Sequence, residues 1–461
     1  MIKVYFDWNV LSQIKNGYQK ELETLLNETD RLFIPYSSSH IGDILASYKE
    51  TDEQKQIIES DLDFLEKYTQ CKYLYNDGKD VKFEFYSPHF AFKQKLEETN
   101  TFKYNSPLEI IENSFNEMDD YFSNDTGKAL LCLYKSIPIS TILDLNSENS
   151  EELNKFFPGI KENPTLEGLM QGFSQFNKNL NESDDYKDLR NTLQTGLGIN
   201  RDKIFDTNNP YKIIGDAHKK LENFDLSSIN KNQQEPKWFS EIMQEYVLLD
   251  IHGYQEDKIN IEKGRKETFR NTTEDALHAA FAATCSFYVI NDNKAYKKTK
   301  QVYEKLNINT LVLKPNEFVE FYTKYLGFND DSLVFGFVRN IINNGEFYED
   351  ETEDSIFRTY FFPYFLFDFF NKIIVVLHKN GDNETILLSQ NGPIKKVVYS
   401  MEVMRLYKKL SAILGNDDDN FGEVKDEEFK NCEWIGRKWT LENIIIRLVC
   451  PNGHFQLYLD C

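Results

Sequence analysis

Aspartates border the β-type segments of this sequence at four places. Asp7 directly follows the run "IKVYF", and Asp292 ends the run "SFYVIND". Asp43 lies in the first turns of a helical segment after the second run, and Asp275 lies near the start of the helical segment before "SFYVIND". In an open parallel sheet, the carboxyl ends of the strands form the crevice where ligands bind. If these elements surround one edge, we expect four carboxylates to converge there.

Carboxylates that converge in this way need a cation. Like charges raise one another's pKa values unless a positive charge neutralises them. Oxygen ligands suit hard divalent ions, and Mg²⁺ favours octahedral oxygen coordination. Such an ion can activate water and neutralise phosphate oxygens, as the hydrolysis of a phosphodiester requires. The pattern therefore predicts a metal site, which would meet the requirement of metal-assisted phosphodiester hydrolysis.

Each aspartate also has a simpler explanation. Asp7 can act as the N-cap of the helix that follows it. Asp275 can offset the dipole at the start of its helix, and Asp43 can face solvent. Asp292 can begin a turn through an Asx hydrogen bond. The metal-site prediction depends on all four carboxylates lying at one edge.

Two histidines lie one helical turn from these acids. His40 precedes Asp43 by three residues, and His278 follows Asp275 by three. Residues at this spacing share a helix face. Either histidine could orient an acid or contact a phosphate, and the alternative is a packed or capping histidine.

The segments that carry the acids alternate between strand and helix. The first fifty residues read strand, helix, strand, helix, with Gly17 as a possible break in the first helix. A capped helix over 272–285 is followed by a strand over 286–292, a helix over 293–306 and a strand over 308–315. Such alternation predicts a parallel sheet.

The rest of the chain predicts two further regions. Residues 51–235 contain helix-compatible stretches between polar loops, typical of a mostly helical insertion. After about 330, two Asn-Gly pairs each separate β-rich runs, a strong hairpin signal. We predict a split α/β core over 1–50 and 236–330, and an antiparallel α+β domain over 331–461.

Composition limits the partners of the protein. The 461 residues carry 53 basic and 75 acidic side chains, and a net charge of −22 disfavours diffuse binding to nucleic acid or anionic membranes. The 6 cysteines show no C-x-x-C spacing, which indicates reduced thiols. There is no signal-peptide pattern, and the aromatic stretch 357–370 is too short and too interrupted to span a bilayer. We expect a soluble cytoplasmic protein.

One window of the sequence reverses the acidic charge. Between residues 258 and 300, nine basic residues stand against five acids. Because this window flanks two of the aspartates, it is a suitable place for phosphate contacts. The alternative is a solvated helix face. The predicted nucleic-acid contacts are Arg270, Lys294, Lys297 and Lys298.

Four segments resemble, in order, the motifs of PIN-domain ribonucleases. They are "VYFDWNVLSQI", "FIPYSSSHIGDIL", "TTEDALHAAFAATC" and "FYVINDNKAY". The resemblance implies a PIN-like doubly wound α/β fold with an acidic Mg²⁺ or Mn²⁺ site. It also implies cleavage of single-stranded RNA, or of structured nucleic acid as in related nucleases.

The resemblance assigns roles to individual residues. Asp7, Asp43, Asp275 and Asp292 correspond to the four metal-binding catalytic acids. Asn9 corresponds to the polar residue two positions after the first acid and would support Asp7 or a ligand water. The chain differs from the family pattern at two positions: Asp43 replaces the usual glutamate, and Ile290 replaces a frequent hydroxyl residue.

The function that follows is a metal-dependent nuclease, specifically a single-strand-specific endoribonuclease. The acidic bulk and large accessory regions suggest a restrained activity, as in a toxin or an antiviral defence effector. The accessory regions could bind a protein partner or mediate self-association. Two alternatives stay open: a catalytically inactive PIN-like scaffold, for which the aromatic stretch 357–370 could bury a partner surface, and a structure-specific DNA nuclease.

Overall fold

A computed structural model shows an α/β protein with a parallel sheet and a separate antiparallel sheet in its C-terminal region. The structure describes residues 1–104, 135–136, 138, 159–182, 185–219, 236–256, 269–327, 330–379, 384–395, 397–425, 427–430, 434–442 and 444–460. The strands are β1 (Ile2–Phe6), β2 (Leu32–Phe33), β3 (Tyr36–Ser37), β4 (Lys72–Asn76), β5 (Val81–Phe85), β6 (Phe287–Val289), β7 (Leu311–Leu313), β8 (Tyr348–Glu351), β9 (Ser355–Leu366), β10 (Phe370–His378), β11 (Glu384–Ser389), β12 (Arg437–Leu441), β13 (Ile444–Val449) and β14 (Gln456–Asp460).

The described helices alternate with these strands along the chain. They are α1 (Trp8–Lys15), α2 (Lys20–Glu28), α3 (Ser38–Ala46), α4 (Asp52–Thr69), α5 (Pro88–Tyr104), α6 (Leu166–Glu182), α7 (Asp185–Gly196), α8 (Arg201–Phe205), α9 (Pro210–His218), α10 (Lys237–Ile251), α11 (Phe269–Ala282), α12 (Asn293–Lys305), α13 (Pro315–Phe321), α14 (Val334–Asn344), α15 (Tyr399–Leu414) and α16 (Glu427–Lys430). None of these described helices is long and apolar enough to cross a membrane.

The parallel sheet has the strand order β2-β1-β6-β7. Val4 pairs with Phe287, and Phe287 pairs in turn with Leu311. All residues of β1 and β6 are buried, as expected for central strands covered on both faces. The chain moves to one side from β1 to β2 and to the other from β6 to β7. The strand order therefore switches direction between β1 and β6, where ligands bind in such sheets.

The local signals near the N-terminus give the expected elements. Gly17 has a φ of 76° and separates α1 from α2, which confirms the predicted break. Ser37 caps α3 through its side chain, which accepts a hydrogen bond from the Ser39 backbone N–H. The short strand β3 was not anticipated. It pairs with β4, outside the parallel sheet, in a small sheet ordered β3-β4-β5.

The described part of 51–235 is mostly helical but also contains the hairpin β4–β5. Leu74 and Val81 of this hairpin belong to the same hydrophobic cluster as Tyr5 and Tyr288 of the parallel sheet. The insertion therefore packs into the α/β core instead of forming a core of its own. Residues 145–154 ("LNSENSEELN"), one of the polar segments for which we predict a loop within 51–235, lie outside the described residues.

The C-terminal region is a seven-stranded antiparallel sheet with the order β12-β13-β14-β11-β10-β9-β8. Both predicted hairpins are present, as β10–β11 and β13–β14. The aromatic stretch 357–370 forms most of β9 and the start of β10. Phe365 of this stretch packs against Phe287 of β6, with ring centroids 5.8 Å apart. Part of the stretch therefore buries an internal contact with the α/β core.

Buried ion pairs connect the two sheets. Lys3 of β1 pairs with Glu402 of α15 at 2.8 Å, and both side chains are buried. Asp368 pairs with Arg31 at 2.5 Å and with Lys409 at 3.2 Å. Burial by itself would raise the pKa of Asp368, but Arg31 and Lys409 are among the cations that hold it below its ordinary value. The charges thus fix β1 and the start of β2 against the C-terminal region.

Candidate metal centre

Asp7 lies at the carboxyl end of β1, in the N-cap position of α1. Its carboxylate makes no capping hydrogen bond, so helix capping does not explain the residue. Burial raises the pKa of Asp7 to about 6, with further contributions from Asp43 and Asp292, while His278 opposes the shift. A buried carboxylate beside two like charges is a place where a cation is stabilised.

Asp7, Asp43 and His278 form a compact group, with one ligand atom from each lying within 4.8 Å of the others. His278 Nε2 is 3.0 Å from Asp43 Oδ2 and 3.7 Å from Asp7 Oδ1. The three side chains come from the end of β1, from α3 and from α11. Packing of these elements therefore brings together residues that are far apart in the chain. We call this group the metal cluster.

The metal cluster is buried on one side and open on the other. The exposed fraction of the side chain is 1% for His278 and 10% for Asp7, but 31% for Asp43. Ions and phosphates can therefore reach the group from the side of Asp43. The buried side limits water around His278 and Asp7, which strengthens electrostatic interactions there.

His278 is oriented by a buried tyrosine. Its Nδ1 is 2.8 Å from the Tyr5 hydroxyl, which in turn lies 2.6 Å from Ser37 Oγ. Histidines that bind metals usually make such a hydrogen bond through their other ring nitrogen. Burial opposes the charge on His278, but Asp43 and Asp7 raise its pKa to about 9. A proton on Nε2 and a metal ion are thus alternative partners for the two carboxylates.

His40 does not face the acids. Its Nε2 donates to the Phe6 carbonyl at 2.7 Å, and its Nδ1 accepts from the Ser37 backbone N–H at 3.1 Å. Burial lowers the pKa of His40 well below its ordinary value, so the ring is neutral. His40 is therefore the packed and capping histidine of the two, and His278 is the one at the acids.

The other two predicted acids make different contacts. The Tyr246 hydroxyl is 3.4 Å from Asp275 Oδ2. Asp292 Oδ1 accepts from the backbone N–H groups of Lys294 and Ala295, each at 2.8 Å, and so caps α12. Among the described residues, the compact group is two carboxylates and one imidazole instead of the four carboxylates expected. Asp292 still raises the pKa of Asp7 and acts on the cluster through its charge.

Glu274 is a carboxylate that sequence reasoning missed. It lies four residues before His278, a spacing that places both on one helix face. A Cβ added at Gly42 would be only 2.7 Å from Glu274 Oε1, so the carboxylate lies directly against the backbone beside Asp43. Burial raises the pKa of Glu274, and Asp43 raises it further. The spacing to His278 was the signal available in the sequence.

The remaining predicted residues lie around this edge with other partners. Asn9 is exposed and accepts a hydrogen bond from Gln13 at 3.1 Å. The predicted basic residues also have partners. Arg270 forms an ion pair with Glu274 at 3.9 Å, and Lys297 forms one with Asp206 at 2.5 Å. Lys294 Nζ donates to the Glu256 carbonyl at 2.7 Å.

The structure corrects the prediction that Lys298 contacts nucleic acid. Its side chain is fully buried and pairs with Asp250 at 2.7 Å, so it cannot contact a phosphate at the surface. Lys258, Lys263, Arg265 and Lys266 of the same window lie outside the described residues.

Lys314 is a cation at this edge that the sequence did not indicate. It follows β7, and its Nζ donates to the Asn291 carbonyl at 2.7 Å. Burial lowers the pKa of Lys314, while Asp292, Glu317 and Asp7 oppose the change. The carboxyl ends of β1, β6 and β7 thus bring charged side chains of both signs to one edge.

No protein-family model, curated protein or solved structure matches this chain. We therefore infer the chemistry of the site from its own donor atoms.

The donor set of the metal cluster fits a divalent ion. Carboxylates suit Mg²⁺ and Mn²⁺, whereas imidazole suits later transition metals such as iron and zinc. A site with two carboxylates and one imidazole departs from the set of oxygen ligands that Mg²⁺ prefers. The hydrogen bond between Tyr5 and His278 Nδ1 and the charges of Glu274 and Asp292 support cation binding from outside the cluster.

Proposed function

We propose that the protein is a nuclease that depends on a divalent metal ion, with Asp7, Asp43 and His278 as the metal ligands. The observation that carries this proposal is the approach of three ligand atoms to within 4.8 Å of one another. They meet at the carboxyl edge of a parallel sheet, beside the switch in strand order. Two of the four acids that the resemblance to PIN-domain motifs assigns, Asp7 and Asp43, are among these ligands, which supports a PIN-like fold; His278 occupies the place expected for Asp275.

The residues in and around the metal cluster have different roles in this proposal. Asp7, Asp43 and His278 bind the ion, which when bound supplies a Lewis acid for the phosphate and lowers the pKa of water. Tyr5 holds His278 so that Nε2 faces the carboxylates. Glu274 and Asp292 add negative charge that attracts the cation. The Lys314 ammonium lies at the same edge, where it can attract a phosphate.

Asp43 fits this role despite its short side chain. The PIN-like pattern has glutamate at this position, one methylene longer. His278 Nε2 lies 3.0 Å from Asp43 Oδ2, so the imidazole extends the cluster toward the aspartate. The shorter acid is therefore compatible with metal binding, which favours an active nuclease over a scaffold that has lost its site.

We propose single-stranded RNA as the substrate, cut internally, on the resemblance to PIN-domain ribonucleases. The net charge of −22 opposes unassisted binding to RNA, which is consistent with a regulated toxin or defence effector. A regulated enzyme of this kind cuts RNA slowly by itself, and faster when a partner, self-association or a particular RNA overcomes the repulsion.

Cleavage of labelled oligonucleotides by the wild-type protein tests the proposal. Single-stranded RNA, single-stranded DNA and duplex DNA are each incubated with Mn²⁺, with Mg²⁺ or with EDTA. We expect internal cuts in the RNA with Mn²⁺, slower cutting with Mg²⁺ and none with EDTA. Preferential cutting of DNA would indicate that the protein is a DNA nuclease and not a ribonuclease. No cutting, together with no heat of Mn²⁺ binding in calorimetry, would contradict the proposal and favour the scaffold.

The Tyr5→Phe substitution tests the support of His278. It removes the hydroxyl 2.8 Å from His278 Nδ1 and leaves the ring size unchanged. Because loss of such supporting hydrogen bonds typically lowers metal affinity 10–100-fold, we expect Mn²⁺ to bind about 10–100-fold more weakly. Isothermal titration calorimetry with Mn²⁺ measures the change.

Tyr303→Phe is the matched control for this test. Tyr303 is also buried, and its hydroxyl donates to a backbone carbonyl, that of Ala279, at 2.5 Å, and not to a side chain of the metal cluster. We expect both variants to lose similar stability and only Tyr5→Phe to lose Mn²⁺ affinity. Equal Mn²⁺ affinity in the two variants would show that Tyr5 has a purely structural role.

A further inference from the structure

A cavity lies at the opposite edge of the parallel sheet from the metal cluster. It has a volume of about 450 Å³, within the range of small-molecule sites. Residues just before β1 and β2 contribute to its wall, so it opens at the amino ends of these strands. Its lining residues are Met1, Leu26, Asn27, Thr29, Asp30, Leu32, Phe33, Ile34, Lys67, Tyr68, Gln70, Lys72 and Arg405. We call it the amino-edge cavity.

The side chains that line the amino-edge cavity carry an excess of positive charge. Lys67, Lys72 and Arg405 stand against the single carboxylate of Asp30. The chain as a whole has a net charge of −22, so this local reversal is unusual for the molecule. A concave wall with one sign of charge concentrates ligands of the opposite sign.

The two lysines make only uncharged contacts within the described part of the chain. Lys67 Nζ is 3.5 Å from the Tyr68 hydroxyl and 4.7 Å from the centre of its ring. Lys72 Nζ donates to Gln70 Oε1 at 2.6 Å and lies 5.5 Å from the centre of the Phe33 ring. Burial lowers the pKa of Lys72, and the neighbouring Cys71 thiol opposes the change. A partly buried ammonium of this kind gains stability from an anion.

Arg405 fixes the far wall of the amino-edge cavity. Its Nη2 pairs with Asp368 Oδ2 at 3.3 Å, and its Nη1 donates to the Asp30 carbonyl at 3.2 Å. The guanidinium is therefore held in place from α15, while the lysines project from the end of α4 and the start of β4. Cations that approach from different elements match an anion with several oxygens, such as a phosphate.

The neutral part of the wall suits a flat polar group. Asn27 and Gln70 contribute exposed amides, and the Tyr68 and Phe33 side chains behind them are buried. The Tyr68 hydroxyl donates to Asn27 Oδ1 at 3.3 Å, which orients the asparagine side chain. Exposed amides can hydrogen-bond the edge of a nucleobase.

We propose that the amino-edge cavity binds a small phosphate-bearing ligand of mononucleotide size, with Lys67 and Lys72 contacting the phosphate. The cavity volume, the two lysines without carboxylate partners and the anchored Arg405 carry the inference. It does not depend on the nuclease proposal, because none of these residues belongs to the metal cluster. The ligand chemistry is shared by nucleotides, sugar phosphates and inorganic phosphate.

Calorimetric titration with three anions tests the site. Adenosine monophosphate, ribose 5-phosphate and inorganic phosphate are each titrated into the full chain at about 0.15 M salt, where exposed charges are screened. We expect adenosine monophosphate to bind with micromolar affinity and more tightly than the other two. Equal binding of all three would support phosphate recognition as the whole basis of the site. Absence of binding by all three up to millimolar concentration would overturn the proposal.

Lysine variants distinguish a specific phosphate site from general electrostatic attraction of the anion to the protein. Lys67→Gln and Lys72→Gln should each weaken nucleotide binding about tenfold, because each removes a charge-assisted hydrogen bond. Lys55→Gln, at the other end of α4, is the matched control and should leave binding unchanged. Lys67 is exposed, so its substitution leaves folding intact, and thermal melting verifies this. Equal weakening by Lys55→Gln would overturn the assignment.

Discussion

On the proposed function, Asp7→Asn should reduce metal-dependent cleavage and Mn²⁺ affinity by at least about 100-fold. It would remove a proposed metal ligand, and the loss of a group that only supports a ligand already lowers metal affinity up to about 100-fold. The amide keeps the shape of the side chain but loses its negative charge. Asp7 is the least exposed carboxylate of the cluster, with its Oδ1 3.7 Å from His278 Nε2. Initial cleavage rates with Mn²⁺, and calorimetry on the same samples, measure the two effects.

Folding of this variant can be separated from its activity. The Asp7 carboxylate makes no capping hydrogen bond, so the asparagine removes no cap from α1. Asp52→Asn is the control, since Asp52 is an exposed acid in the first turn of α4. We expect wild-type cleavage from the control and native circular dichroism from both variants. Full activity in Asp7→Asn would exclude the metal cluster as the catalytic site.

Glu402→Gln should lower the free energy of unfolding by about 3–5 kcal/mol, the usual cost of breaking a buried ion pair from one side. The substitution leaves the Lys3 ammonium buried in β1 without its partner at 2.8 Å. Urea denaturation followed by tryptophan fluorescence measures the change. Lys3 lies within β1, and Asp7 directly follows the same strand. We therefore expect the loss of the ion pair to disturb the position of Asp7 as well.

Two comparisons isolate the buried charge in this prediction. Lys408 and Glu423 form an exposed pair at 3.7 Å, and Glu423→Gln should change stability by less than about 1 kcal/mol. The double substitution of Lys3→Met with Glu402→Leu should recover most of the loss, since apolar residues can replace a buried pair. A Glu402→Gln protein as stable as the wild type would show that the pair contributes nothing.

The sequence was most informative where a signal lies within one element. Alternation of strands and helices predicted the parallel sheet, and Asn-Gly pairs predicted the two C-terminal hairpins. Asp7, Asp43 and His278 were all candidates, because an acid after a strand and polar residues one turn apart on a helix are visible in a single segment.

What the sequence did not reveal depends on packing between elements. The choice between Glu274 and Asp275 is set by which face of α11 meets Gly42, and no pattern inside the helix fixes that face. Tyr5 looks like any core residue of a strand until His278 packs beside it. Lys298 reads as a surface lysine because its partner Asp250 lies on another helix.

The ion pair between Lys3 and Glu402 has a consequence for protein synthesis. The strand that presents Asp7 keeps an uncompensated ammonium until residue 402 has left the ribosome, and His278 must also have folded into place. Contacts over such sequence separations form late, because long loops must close first. On the proposed function, a partly translated chain lacks a complete catalytic centre, so the messenger RNA and the ribosome are protected from the enzyme while it is being made.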